Sequence, residues 1–152
     1  MHFPWSTLQH GAILSILASL YLLIILRINP RLFLQDYPED IQRQVPPKSP
    51  REKRLSLWFG IPFLLLLIAA PTLSTLALML QEGRQATFFE LFLNAAGVVF
   101  IFNLVDLLIL DWLIFCLIRP RFLIIPGTKE EASYKDYAYH FKAFWLLAVL
   151  CG

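Results

Sequence analysis

Cysteine is scarce: Cys116 and Cys151 are the only two in the chain. Both lie in apolar runs without CxxC or Cys/His spacing, which argues against a disulfide framework or a zinc site and leaves two small hydrophobes for an interior. Charge is scarce as well, at 16% of residues against 58% hydrophobic. Soluble domains sit nearer a quarter charged and half apolar, so this is membrane composition. No basic residue precedes the first apolar run, "MHFPWSTLQHGAILSILASLYLLIILRINP", which ends instead on Arg27. A cleaved signal peptide has the opposite charge order and a small-residue cleavage site, so this run reads as a retained first span. Catalytic signatures are missing too. There is no paired His/Glu metal motif, no GxSxG elbow and no several-Asp signature of a metal-dependent lipid headgroup transferase. "PGTKEE" lacks the first Gly and the GK[ST] of a phosphate-binding loop. No catalytic residue, metal or cofactor is expected, nor a nucleic-acid partner, and an enzyme is the weakest functional reading.

What is present is long apolar runs. Three meet the requirement of about 20 mainly apolar residues for crossing a hydrocarbon core, at about residues 8–26, 56–80 and 88–118. A fourth, "FKAFWLLAVLCG" from Phe141, runs only about twelve residues, roughly 18 Å of helix. It is read as a span cut short at Gly152 or one that dips partway into the bilayer. The fold class predicted is all-α: one polytopic transmembrane helical bundle over residues 1–152, with three full spans and a partial fourth (141–152). The lipid bilayer is the first partner, and a homo-oligomer or larger membrane complex is the expected setting.

Of the 13 Lys and Arg, seven fall between the first two spans and five after the third; only Arg84 lies between spans two and three. The positive-inside rule then places the N-terminus outside and the segments 27–54 and 119–140 in the cytoplasm. In the first of these, Pro38 predicts a short helix with Glu39 and Asp40 in its first turn, stopped by Pro46-Pro47. "KSPREKR" serves topology, or touches anionic headgroups. In the second, "TKEE" predicts a capping box between Thr128 and Glu131. Tyr134, Tyr137, Phe141 and Phe144 then follow at 3-4-3 spacing, one aromatic stripe on a helix. Such a stripe suits an interfacial anchor, or a docking face for a cytoplasmic partner.

Within the spans, "NLVDLLILDW" places Asn103, Asp106 and Asp111 where hydrocarbon belongs. An Asp at the centre of a span costs about 2.5–3.5 kcal/mol on insertion scales, so two of them call for a use. At 1.5 Å per residue Asp111 lies about 12 Å and Asp106 about 20 Å from Arg119. Ser19 and Ser15 lie at about 12 and 18 Å from Arg27 on the first span, level with the two carboxylates. An α-helical wheel gathers Asn103, Asp106 and Asp111 within an arc of about 140° and turns Trp112 away. Gly11-xxx-Ser15-xxx-Ser19 is a small-xxx-small series that permits close contact between spans one and three. Pro71 withholds an amide from the Leu67 carbonyl, which sits level with Asp106, and Pro62 disturbs the same helix nearer its start. Asp111, being shallower, is expected to pair with Arg119 or Arg121 snorkelling toward it.

"DYPEDIQRQVPPKSPREKR", "LLILDWLIFCLIRPRF", "IPGT" and "YKDYAYHF" together resemble a family of small bacterial membrane proteins with about four predicted spans and no assigned activity. The resemblance covers most of residues 29–144. It implies a multi-pass protein of the bacterial inner membrane and says nothing of mechanism. Two functions follow from the polar residues themselves. The first is a structural or accessory subunit, with Asn103, Asp106, Asp111, Ser15 and Ser19 as an interhelical network. The alternative is an oligomeric proton- or cation-conducting channel or transporter using Asp106.

Overall fold

Long apolar runs become long helices because backbone groups in hydrocarbon have no water to bond and must pair within their own segment. The computed structural model describes residues 3–82, 86–128 and 132–151. Helix α1 covers Phe3–Ile28, α2 Glu39–Gln44, α3 Pro50–Glu82, α4 Phe88–Val105 and α5 Tyr137–Cys151. No strand occurs among the described residues, so the fold is all-α. Among the described residues three helical columns are long and apolar enough to cross a membrane: Trp5–Ile28, Pro50–Gln81 and Phe88–Ile118. The connector at 83–85, with Arg84, lies outside the described residues, as do Glu131 and Gly152.

α3 begins several residues ahead of the expected span because its start carries its own cap. The Ser49 amide donates to Glu52 Oε2 at 2.8 Å and the Glu52 amide to Ser49 Oγ at 3.2 Å, with Pro50 in the first turn. This is a reciprocal capping box, hidden in "KSPREKR". Pro62 and Pro71 both lie inside α3, whose helix runs on through them. At the other end of the bundle Thr87 and Glu90 form a second capping box and start α4.

α1, α3 and α4 pack together, with α1 against α4 the most extensive pairing. Leu14 and Ala18 of α1 meet Val98 and Phe102 of α4, with Phe63, Leu66, Leu67 and Ala70 of α3 closing the layer. Glycine lets α1 and α4 approach. A Cβ at Gly11 would stand 2.8 Å from Ile101 Cβ, and one at Gly97 would stand 2.7 Å from Thr7 Cγ2. Gly11→Val is therefore expected to overpack the contact and destabilise the bundle by about 1–3 kcal/mol. Thermal unfolding in detergent micelles measures it; an unshifted midpoint would mean the helices separate at no cost.

The basic connectors fold into a second, smaller core beyond the spans. Leu34, Tyr37, Ile41, Val45, Ile125 and Tyr134 are buried together, with Phe115 and Ile124 against them. A 3-10 segment, Pro30–Asp36, turns the chain out of α1, with the Asn29 side chain capping the Arg31 amide. α2 follows Pro38, as the proline signal predicts, and ends at extended Val45 before Pro46. Polar bonds hold this cap to α3. Arg31 Nε pairs with Glu52 Oε1 at 2.7 Å, and its Nη2 donates to the Pro46 carbonyl at 3.0 Å. Lys48 Nζ donates to the Leu32 carbonyl, to Gln35 Oε1 and to Ser56 Oγ, the last at 3.0 Å. Desolvation lowers the Lys48 pKa while Asp36 and Glu52 oppose that shift. Lys48 is thus a structural cation tying the 3-10 segment to α3.

Candidate functional site

Helix α4 does not end at Asp106; it changes pitch. Residues Asp106–Ile118 form a π-helical segment, in which each amide reaches back five residues, and the Arg119 amide keeps that register with Ile114 O at 2.8 Å. Short π insertions are common at functional positions, whereas a stretch of this length is unusual. The wider turn changes the wheel drawn above. Residues five apart now fall on successive turns, so Asp106 and Asp111 come to one side of the column.

Asp111 finds its partner on another helix. His140 Nδ1 lies 3.0 Å from Asp111 Oδ1, with 9% and 22% of the respective side chains exposed. The Nδ1–H can donate to the carboxylate in the cationic ring or in one neutral tautomer. This corrects the expected pairing with Arg119 or Arg121. Arg119 takes a left-handed backbone (φ 44°) that ends the π segment, and its buried Nε has no hydrogen-bond partner. α5 instead packs along the π segment and brings His140 to the carboxylate. Nothing in the local sequence of α4 marks His140; "YKDYAYHF" would have flagged it only if the fourth helix were placed against the third.

The serines are used otherwise than expected. Ser15 is buried, and its hydroxyl donates to its own helix at Gly11 O, 2.7 Å away, so it does not serve Asp106. Ser19 is half-buried, while its neighbour Ala18 takes the fully buried position against α4. Asn103 is buried, and its backbone carbonyl accepts the Asp106 amide. Pro71 is buried and Pro62 exposed; Leu67 contributes its side chain to the apolar layer.

The four aromatics do not form one helical stripe. Thr128 Oγ1 donates to the Ile125 carbonyl at 2.7 Å and bonds the Tyr134 hydroxyl at 2.8 Å. Its hydroxyl is thereby committed to the turn, and Glu131, the other half of the expected capping box, lies outside the described residues. Tyr134 sits in a separate 3-10 turn, Ala132–Lys135, buried in the small core. α5 starts only at Tyr137, where Asp136 Oδ1 accepts the Tyr139 amide at 2.9 Å. Tyr137 packs edge-on against Trp112, and Phe144 packs against Phe100. Phe141 is exposed. Trp112 thus faces α5, with its buried Nε1 unpartnered.

A second polar level was missed altogether. Asn94, fully buried, accepts from Thr7 Oγ1 at 2.7 Å and donates to Ser74 Oγ at 2.9 Å and Thr75 Oγ1 at 3.2 Å. His10 Nδ1 bonds Ser74 Oγ at 2.8 Å. One amide therefore joins α1, α3 and α4. The signal was available: an Asn inside an apolar span, with Thr and Ser at matching heights on its neighbours.

The small core beside the acidic site is closed by tyrosines. Tyr37 donates to the Leu123 carbonyl at 3.0 Å, Tyr139 donates to Tyr37 O at 3.3 Å, and the Ile125 amide donates to the Tyr134 hydroxyl at 3.1 Å. Burial holds the Tyr37 phenol well above its ordinary pKa, so it stays a neutral donor at any physiological pH. No group of three or more His, Cys, Asp or Glu suited to a metal ion occurs among the described residues. The arrangement is chemically a set of clasps: an amide hub at one end, an Asp–His pair and a tyrosine-closed cap at the other. The chain matches no protein-family model, no curated protein and no solved structure.

Proposed function

We propose that this chain is a multi-pass membrane scaffold or accessory subunit, whose intramembrane polar groups fasten helices to one another. The observation that supports this reading is the separation of two polar levels by an apolar layer. Thr7, His10, Ser74, Thr75 and Asn94 bond among themselves at one level. Asp111 pairs with His140 at the other, in the π segment that Asp106 opens. Leu14, Ala18, Val98 and Phe102 lie between, with Phe63, Leu66, Leu67 and Ala70 packed against them. Asn94 and Asp106 are twelve residues apart, about 18 Å of α-helix, too far for one proton transfer. In this reading the basic connectors face the cytoplasm of a bacterial inner membrane, and the small core is the surface through which the subunit meets its complex.

The alternative is a proton or cation path through Asp106 in an oligomer. Its support is the five-residue register that brings Asp106 to the same side of the π segment as Asp111, which bonds His140. Flux measurements in sealed vesicles separate the two. The scaffold reading expects proton and monovalent-cation flux at the protein-free background, and Asp106→Asn to leave both flux and thermal midpoint nearly unchanged. Wild-type flux that Asp106→Asn abolishes would replace it with the transport reading, because Asn keeps the shape and cannot titrate.

A further inference from the structure

From the start of α3 we infer an interaction surface for the headgroup of an anionic phospholipid, formed by Arg51 and Arg54 above Trp58. The stretch "PREKR" that opens this helix carries three cations and one acid, and the fold sorts them. Both carboxylate oxygens of Glu52 are committed to the protein, Oε1 to Arg31 Nε at 2.7 Å and Oε2 to the Ser49 amide at 2.8 Å. The Glu52 side chain is thereby held under the cap, with 19% of it exposed. The neighbouring cations of the cap are occupied as well: Arg43 pairs with Glu39, and Lys48 is held by three oxygens. Arg51 and Arg54 are exposed, and neither side chain has a hydrogen bond or ion pair among the described residues. A charged connector of mixed sign in sequence is therefore purely cationic on its outer side.

Helical geometry supplies the second observation. At 100° per residue Arg51, Arg54 and Trp58 fall within an arc of about 60°, and Glu52 and Lys53 each lie about 100° outside it. The same face continues through Ile61 and Leu65, 54% and 59% exposed, below Trp58 at 71%. It is a face of the least enclosed span, 17% buried within the bundle against 33% and 28% for the other two. Cationic at its start and apolar from Trp58 onward, it complements one phospholipid: acyl chains along Ile61 and Leu65, an anionic headgroup at the arginines. Trp58 stands at the join, where an indole keeps its ring among the chains and its N–H toward the headgroups. The start of a helix carries partial positive charge, so a cation in the first turn, such as Arg51, is unfavourable until an anion offsets it. Glu52 is spent on Arg31 and Ser49, which leaves that role to an anion from outside. Each exposed guanidinium offers two N–H groups as a fork that matches two phosphate oxygens. The contact is ionic and hydrogen-bonded only, and it holds for a scaffold and for a conduit alike.

The test uses the full chain in nanodiscs of phosphatidylcholine doped with phosphatidylglycerol, reading phosphatidylglycerol retained per protein by native mass spectrometry. Each basic residue near an anionic surface contributes about fivefold in affinity, so Arg51→Gln with Arg54→Gln is expected to cut retention by more than roughly tenfold. Arg51→Lys with Arg54→Lys keeps the charge and loses the fork, and should stay within about threefold of wild type. Lys53→Gln with Arg121→Gln removes two other exposed cations, off this face, and should change retention less than about twofold. Equal losses from the two glutamine pairs would reduce the effect to general surface charge and overturn the surface. A lysine pair as depleted as Arg51→Gln with Arg54→Gln would place the loss in the fold rather than in the charge, and would overturn it too. Inorganic phosphate displacing phosphatidylglycerol from the wild type would identify a soluble anion as the ligand and overturn the lipid assignment.

Discussion

Asn94→Leu is expected to cost about 2 kcal/mol and to loosen all three spanning helices together. The figure follows from three interhelical hydrogen bonds at roughly 0.6 kcal/mol each, the average found inside membranes. Asn94 makes those bonds to Thr7 on α1 and to Ser74 and Thr75 on α3, from a position with no exposed surface. Leucine matches its size and is fully compatible with hydrocarbon, so side-chain hydrophobicity works against the expected loss. Any loss that appears therefore belongs to the bonds. Thr7→Val removes one of them while keeping the branched shape, and should cost about a third as much. Combined with Asn94→Leu it should add little, since both substitutions delete the same contact. Unfolding in mixed micelles, followed by denaturant titration, gives the three values. A leucine variant within about 0.5 kcal/mol of wild type would remove Asn94 as the hub and leave glycine-mediated packing of α1 on α4 as what holds the bundle.

The spans were legible because length and apolarity decide them: bilayer thickness sets the helix length, and no competing structure satisfies the backbone there. The runs read at 56–80 and 88–118 became Pro50–Gln81 and Phe88–Ile118. The early start of α3 escaped because Ser49 and Glu52 were read only as part of a charged connector, although S-x-x-E is a local signal. The carboxylates escaped for a different reason. Their partners depend on pitch and on which helix lies alongside, and neither is local. The assumption of 100° per residue fails from Asp106 to Ile118, where the register is five residues. His140 reaches Asp111 across 29 positions of chain, through a connector whose Ile125 and Tyr134 are buried in a core that no periodicity announced. Tyr134 shows the limit plainly. Its spacing to Tyr137 and Phe141 is helical, but Thr128 and the Ile125 amide hold it in a separate turn.

His140→Leu tests whether the intramembrane acid is a clasp for α5. The imidazole is buried, bonds Asp111 at 3.0 Å and touches the Phe115 and Tyr139 rings. Leucine leaves the Asp111 carboxylate without its donor on the inner side of a span. Breaking a fully buried pair in this one-sided way costs about 3–5 kcal/mol; since Asp111 keeps a fifth of its side-chain exposure, about 2 kcal/mol is expected here. Asp111→Asn retains an acceptor for the ring and should cost about 1 kcal/mol, as for one ordinary hydrogen bond weakened. In the double variant the loss should fall short of the sum, with a coupling of at least about 1 kcal/mol. The location of the damage matters more than its size. Hydrogen exchange should rise in α5 and in the Asp106–Ile118 segment, because these pack on one another. The region of α1, α3 and α4 around Asn94, a separate polar level, should keep its protection. If instead Arg119→Gln raises exchange in α5 and in the Asp106–Ile118 segment while His140→Leu leaves both protected, Asp111 is paired along its own chain segment and the clasp is lost. If both leave α5 protected, the helix is held by Tyr137 on Trp112 and Phe144 on Phe100, and the carboxylate has no structural role there. Asp111 would then become the residue to substitute next in the flux measurement, since a carboxylate that fastens nothing inside a membrane requires another use.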